Sequence, residues 1–490
     1  MSLTKTAEKQ QTLAKIAGEN PTHRFSNLYH LMYLDEWLLQ AANVVLDKPG
    51  SDTAGVDNQT KSAFKARIEE ELFFLAQELK QKTYRPHPVR RAYVPKNDGT
   101  RRPLGIPTLR DRIVQEALRA ILDPIYESDF CHYSFGFRKG RCTMDAIAPI
   151  LWLFARSLKY YYVIEGDIKS YFDNVQHRKL LRILRKRIVD KNLLDLIWKF
   201  LNAGVMENGL FEKTEAGVPQ GGIISPLLAN VYLHEFDKWA ETKWNFSVYE
   251  RHKRRLNKQG NFRLVRYADD FVILSNGSIA AVRAVKQEVK EFLKTKLFLE
   301  LSEKKTKLTH INDGFTFLGF HIQRVKAGER LVVHLRPSKE AKQKIKTQIK
   351  EMTTRKTCNR DEYIQLTLLN AKVRGWAEYY RHTHLVKDMY EITRYTWYRY
   401  LNWLQGKYKG SQKDELIKER TRVIYRINRW TAKTREGGKT YFTYQWYPTR
   451  KEINRCYYPS KGRDDFPHPY LRIISNEPPQ IATTVQGRAG

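Results

Sequence analysis

The chain has 490 residues, room for about two to four domains, and its 41% hydrophobic content allows sizeable cores and excludes wholesale disorder. Its 87 Lys and Arg against 53 Asp and Glu leave a net charge of +34, a surface that repels cations and attracts polyanions, nucleic acid foremost. No stretch reaches the ~18 apolar residues that span a bilayer, and the cysteines Cys131, Cys142, Cys358 and Cys456 are too scattered for a zinc ribbon or a disulfide framework.

Residues 1–50 read as helical, with Leu28, Leu31, Met32, Trp37 and Leu38 at helix-like intervals. A loop from Lys48 to Gly55 leads into a helix over 59–80, and Arg91 to Pro95 reads as a strand turned by Asn97-Asp-Gly99. The pattern is mostly helical from 109 to 158, and Tyr160 to Glu165 then reads as a buried strand ending at Asp167. Helices are expected over 177–203, 224–242 and 279–296, a hairpin over 263–275, and strands near 299–302, 315–323 and 330–335. After Pro337 come three basic, aromatic-rich helices, roughly 338–353, 360–382 and 385–405, then a linker and a fourth helix over 413–432. Residues 436–475 are rich in Gly, Tyr, Arg and Pro, and 476–490 read as a flexible tail. Met1 to Glu19 lacks the apolar run of a secretory signal, so the expected setting is cytoplasmic, the bacterial cytoplasm or nucleoid with an organellar origin as the alternative, and no membrane partner is expected.

Three acids stand out. Asp269 and Asp270 occupy the turn between the apolar strands Leu264-Val-Arg-Tyr267 and Phe271-Val-Ile-Leu274, where hairpin chemistry alone also favours Asp. Asp167 ends another apolar strand, and acids at the ends of neighbouring strands can share hard cations such as Mg²⁺, with the Ile168 carbonyl as a further oxygen ligand. Such a pair of cations is what joining a 3′-hydroxyl to an α-phosphate requires. Asp173 reads as the cap of the following helix.

Read together, the segments resemble reverse transcriptases in order and spacing, above all those encoded by group II introns. Gly55-Val-Asp57, Val94-Pro-Lys96 with Arg101-Arg-Pro-Leu-Gly-Ile-Pro107, and Ser134-Phe-Gly-Phe-Arg138 are similar to early fingers motifs. Gly166-Asp-Ile-Lys-Ser-Tyr-Phe-Asp173, Gly217-Val-Pro-Gln-Gly-Gly-Ile-Ile-Ser-Pro226 and Arg266-Tyr-Ala-Asp-Asp-Phe271 resemble the first palm, nucleotide-pocket and second palm motifs. Leu301-Ser-Glu-Lys-Lys-Thr306 and Phe317-Leu-Gly-Phe320 resemble the closing ones, and Leu369-Asn-Ala-Lys-Val-Arg-Gly-Trp-Ala-Glu-Tyr-Tyr380 resembles the maturase-domain signature.

The resemblance implies a fold of mixed α/β (α+β) class, a right-hand polymerase with fingers and palm, then an all-α thumb (domain X) and a basic C-terminal region. It divides the chain into an RNA-binding N-terminal extension (1–50), fingers and palm (51–335), thumb (336–408), a DNA-binding region (409–475) and the tail (476–490). Asp167, Asp269 and Asp270, with Ile168, would hold two Mg²⁺, Mn²⁺ being the alternative. Lys96, Arg102, Phe172 and Gln220 would bind the dNTP, with the Phe172 ring barring a ribose 2′-hydroxyl. Lys305 reads either as a surface lysine or as a group near the pyrophosphate. Arg138, Lys139, Arg141, Lys372, Arg374 and Arg381 would contact nucleic acid.

The implied partners are group II intron RNA, an RNA template with its DNA primer, target DNA and dNTPs. The implied roles are cDNA synthesis and a maturase's help in splicing and retrohoming. Beyond 440 only Cys456 and His468 have the chemistry of the HNH-type nuclease that ends many relatives, so second-strand cleavage is not expected. Alternatives are a related polymerase in repair or defence without its own intron, a splicing factor without polymerase activity, and an RNA-dependent RNA polymerase. The present acids argue against the second and Phe172 against the third.

Overall fold

A computed structural model describes residues 5–95, 101–155, 160–207, 210–212, 216–218, 221–383, 386–424, 427–433, 439–441 and 468–471. Lys96, Gln220, the Asn97-Asp-Gly99 turn and the 476–490 tail lie outside the described residues.

The centre is a four-stranded antiparallel sheet in the order Phe262–Tyr267, Asp270–Ser275, Tyr162–Gly166, Lys307–His310. Its strands alternate with period two between two cores. Ile164, Leu264, Phe271 and Ile273 enter one core with Phe236, Val289 and Leu293, while Val163, Val265, Val272 and Leu274 enter a second with Ile150, Phe154 and Phe320. A sheet buried on both faces leaves its strand ends as the place where polar side chains can meet.

The first core extends through the helices Ser225–Trp244 and Leu109–Asp129 to the N-terminal helices Lys5–Glu19 and Asp35–Leu46. The residues expected to line the N-terminal helical face, Leu28, Leu31, Met32, Trp37 and Leu38, are all buried there. Trp37 Nε1 donates to the Ala117 carbonyl at 3.1 Å. A separate sheet, in the order Arg101–Ile106, Val89–Pro95, Val205–Glu207, Leu210–Glu212, projects beside this body.

The second core runs unbroken past Pro337 into the helices Lys339–Met352, Glu362–Tyr380 and Val386–Lys407. Tyr380, Tyr400, Trp403 and Leu404 are buried in it. The change at Pro337 is therefore one of secondary structure, with a continuous core across it.

Several elements differ from expectation. The 59–80 helix is two, Lys61–Ala66 and Ile68–Lys80, because Arg67 leaves helical geometry at φ −128°. The 177–203 helix is also two, His177–Leu184 and Lys191–Leu201, the second capped by the Asp190 side chain on Asn192 and Leu193 N–H. The helix over 413–432 stops at Arg420, and the β-branched run after it forms the strand Thr421–Ile424 in a sheet with Ile427–Lys433 and Lys439–Tyr441. Residues 299–302 make only a single bridge, and Lys307–His310 takes the sheet edge instead. Asp173 is not the N-cap of the following helix, His177–Leu184, whose N-cap is Gln176.

An unexpected helix, Val248–Leu256, begins with a Ser247–Glu250 capping box and buries no side chain. Near the C-terminus, Tyr470 folds back on the Leu109–Asp129 helix, its hydroxyl donating to Asp123 at 2.6 Å. Among the described residues no helix is long and apolar enough to cross a membrane.

Candidate active site

The corner where the three acids meet is set by strand register. Tyr267 pairs with Asp270 across a turn whose residue Ala268 takes φ +57°, and Gly166 pairs with Phe271 on the neighbouring strand. Asp167, one residue beyond Gly166, thereby stands beside the Asp269–Asp270 turn. Gly166 is required here, because any side chain would overlap the Phe271 ring.

The electrostatics agree with that proximity. Reduced hydration, then the charges of Asp269 and Asp167, push Asp270 up to about 6, while Lys305 and Arg102 draw it down. Reduced hydration also raises Asp269; its own backbone N–H opposes the rise and Asp167 adds to it. Arg102, exposed on Arg101–Ile106, is close enough to lower both acids. The Lys305 ammonium lies 3.2 Å from Asp167 Oδ1, with most of its side chain exposed at the surface.

Ile168 faces Leu301 as an isolated antiparallel bridge. The bonds of that bridge belong to its neighbours, Lys169 N to Glu300 O at 2.9 Å and Ser302 N to Asp167 O at 2.8 Å. In such a non-hydrogen-bonded pair the residue's own carbonyl points away from its partner.

These oxygens suit a hard cation by chemistry, and the mutual charge on the acids favours one. Among the described residues no three His, Cys, Asp or Glu side chains close into a ready-made cage. An open carboxylate corner is what Mg²⁺ uses when substrate phosphates and water complete its shell.

Phe172 is half-buried, edge-on to Phe137 at 6.3 Å and to Tyr171 at 5.5 Å. Its segment is fixed by Val218 N to Phe172 O at 2.7 Å and by Gly217 N to Val175 O at 2.9 Å. Gly217 has φ +102°, and a Cβ there would press within 3.1 Å of the Asp173 carbonyl, so this close approach requires glycine. The structure thus brings the Phe172 motif and the Gly217 motif together from separate parts of the chain.

Beneath the corner lies a residue the sequence reading passed over. Arg266 is fully buried, and it donates to Asp237 at 2.7 and 2.5 Å, to Asn230 Oδ1 at 3.0 Å, to Ser134 Oγ at 2.7 Å and to the Ala268 carbonyl at 2.8 Å. Burial lowers the guanidinium and Asp237 more than offsets it, leaving Arg266 above its ordinary range. The signal available was a cation inside an apolar strand, with Asn230 and Asp237 seven apart on one helix face.

Two expected nucleic-acid contacts are corrected by placement. Arg138 is buried, bound to Glu127 at 2.6 Å and to the carbonyls of Cys131 and Ser134. Arg141 turns inward too, donating to the His132 carbonyl and lying over the Phe135 ring. Both guanidiniums hold the 131–141 loop together. Lys139 is exposed with its ammonium 4.8 Å over the Tyr470 ring. Lys372 and Arg374 are exposed on Glu362–Tyr380, and Arg381 is exposed and paired with Glu378 at 2.5 Å.

Comparison with known proteins matches two regions of the chain. Residues 94–322 match the reverse transcriptase (RNA-dependent DNA polymerase) family, and residues 342–435 match the maturase-specific domain of group II introns. Protein YkfC of Escherichia coli (strain K12) is 40% identical over 356 residues, 69% of this chain and 93% of that protein. The group II intron-encoded protein LtrA of Lactococcus lactis subsp. cremoris is 36% identical over 366 residues, 65% of this chain and 60% of LtrA. A putative COX1/OXI3 intron 2 protein of Saccharomyces cerevisiae is 29% identical over 328 residues, 58% of this chain and 38% of that protein. The chain belongs to the group II intron-encoded reverse transcriptase/maturases, an RNA-directed DNA polymerase joined to a maturase domain.

Proposed function

We propose that this chain copies group II intron RNA into cDNA from a DNA primer, with Asp167, Asp269 and Asp270 and the Ile168 carbonyl holding two Mg²⁺. The observation that carries the reading is the Gly166–Phe271 register, which brings Asp167 at the end of one strand beside the Asp269–Asp270 turn of its neighbour. Bound there, two divalent cations would activate the primer 3′-hydroxyl and steady the departing pyrophosphate; Mn²⁺ is the alternative pair. Arg102 and Lys305 supply positive charge beside the acids, where triphosphate charge shifts during transfer. Lys96 and Gln220 complete the dNTP pocket on the strength of their motifs. The Phe172 ring, braced by Tyr171 and Phe137, bars a ribose 2′-hydroxyl.

The division into a 1–50 RNA-binding extension, fingers and palm to 335, thumb to 408 and a DNA-contacting region after it belongs to the same reading. Exposed Lys372 and Arg374 on the maturase-matched helices support RNA contact there. Splicing assistance, retrohoming and a target DNA partner belong to the same reading, which the maturase-domain match and the intron-encoded relatives support.

Purified full-length chain should extend a DNA primer on an RNA template with dNTPs and Mg²⁺, and EDTA should abolish the product. No cDNA with either Mg²⁺ or Mn²⁺ overturns the polymerase reading. Sequencing of copurifying RNA should return one structured intron; a random sample of cellular RNA overturns the maturase reading.

A further inference from the structure

We propose that the cleft between the helices Lys339–Met352 and Glu362–Tyr380 captures a single unpaired nucleotide of a bound RNA. The cleft encloses about 370 Å³, within the range of about 300–1,000 Å³ of small-ligand sites. Lys372, Gly375, Trp376 and Tyr379 recur at helical spacing along one wall, and Lys344 and Gln348 stand one turn apart on the other.

The lysines of the Lys339–Met352 helix divide between two faces. Lys342 and Lys346 are bound to Asp388 and Glu391 of the Val386–Lys407 helix, at distances between 2.5 and 3.2 Å. Lys344 turns to the cleft, whose lining includes no acid among the described residues. Its charge is therefore not cancelled from within, and Lys372 faces it from the opposite rim.

The walls ask for more than a phosphate. The Trp376 ring lies 4.9 Å from that of Tyr380, so the cleft has an aromatic wall. Gly375 leaves open space where any other residue would project a side chain. A nucleobase supplies what these features lack: a flat face for the aromatic wall and an edge for the Gln348 amide. The phosphates on its two sides match lysines on opposite rims. A paired base has neither its faces nor its edge free, so the occupant is a bulged or looped nucleotide. Tyr379 also donates to the Leu318 carbonyl at 3.0 Å, which anchors this wall to the polymerase body.

The proposal rests on the reading of this helical unit as an RNA binder. It is tested by fluorescence anisotropy of the full chain with two RNA hairpins of equal length, one fully paired and one with a single unpaired nucleotide. Gly375→Leu fills the cleft; leucine is the better helix former and meets open space, so the melting temperature should not fall. Wild type should prefer the bulged hairpin, and Gly375→Leu should lose that preference, on the order of tenfold, while binding the paired hairpin as before. Equal affinity of wild type for both hairpins overturns the proposal, as does a preference that survives Gly375→Leu. An acidic peptide that displaces the bulged hairpin alone would assign the cleft to a protein ligand and overturn it too. Absence of cDNA from wild type would sink the polymerase reading while leaving the hairpin preference to stand or fall separately.

Discussion

One hairpin, Phe262–Tyr267 with Asp270–Ser275, carries two clusters of charge solved in opposite ways. Below the turn, Arg266 is wholly buried and satisfied by Asp237, Asn230, Ser134 and the Ala268 carbonyl. Above it, Asp269 and Asp270 crowd against Asp167, and both are pushed toward their neutral forms. The lower cluster contains its own counter-charge and so can be dry and fixed. The upper one has an excess of negative charge, opposed by Lys305 and Arg102, a state that a polymerase fills with cations and triphosphate. Rigidity beneath and unmet charge above are complementary, since acids that repel one another hold a shared geometry only if their turn cannot move.

The largest effect should come from the upper cluster. Asp269→Asn should cut Mg²⁺-dependent primer extension by about 10³-fold or more, the scale of losing a group that stabilises developing charge, without lowering the melting temperature. Single-turnover extension measures it, and near-normal rates would remove Asp269 from catalysis. The lower cluster should behave in reverse. Asp237→Ala strands the Arg266 charge and should cost about 3–5 kcal/mol of stability in urea unfolding. Replacing the pair together, Arg266→Met with Asp237→Leu, should cost less than Asp237→Ala alone. If the single substitution is nearly free, the turn is not held by that pair.

The two clusters also differ in how well the sequence announced them. The acids sit at strand ends between clean apolar runs, and their motif order is distinctive, so their convergence was readable from Tyr160 to Glu165 and Leu264 to Leu274. Arg266 was quoted within its motif yet not weighed, because its partners Ser134, Asn230 and Asp237 come from two other segments and periodicity does not report pairing across them. The same limit misplaced Arg138 and Arg141. An arginine in a loop reads as surface, and only the fold shows Glu127 waiting one helix away. Helix boundaries failed where local chemistry overrode periodicity, as at Asp190, whose side chain starts a new helix inside a continuous apolar pattern. The strand at Thr421 was absorbed into a helix because a short β-branched run carries little signal beside charged helix formers.

Phe172 is braced by Tyr171 and Phe137, and its carbonyl accepts from Val218 in the nucleotide motif. Phe172→Ala should lower discrimination against ribonucleotides on the order of tenfold or more, read from paired dNTP and rNTP extension rates. Unchanged discrimination would reduce the ring to packing.

The smallest effect tests the repulsion itself. A carboxyl whose folded pKa is raised to about 6 favours its neutral form in the folded chain. That contribution is present below the ordinary carboxylate range and is lost as pH rises through about 6. At pH 7.5 in EDTA the crowded ionised corner therefore destabilises the fold, and Asp270→Asn should raise the melting temperature. The gain should be small, about 1–2 °C, because Asp270 keeps contact with solvent and salt screens it. At pH 4 wild-type Asp270 is already neutral, and the difference should vanish. Adding Mg²⁺ at pH 7.5 should reverse the order, since the wild-type corner gains a bound cation that the variant holds less well. A variant that melts lower than wild type in EDTA would show that the three acids do not repel one another, and the contrast with the Arg266 cluster would fail.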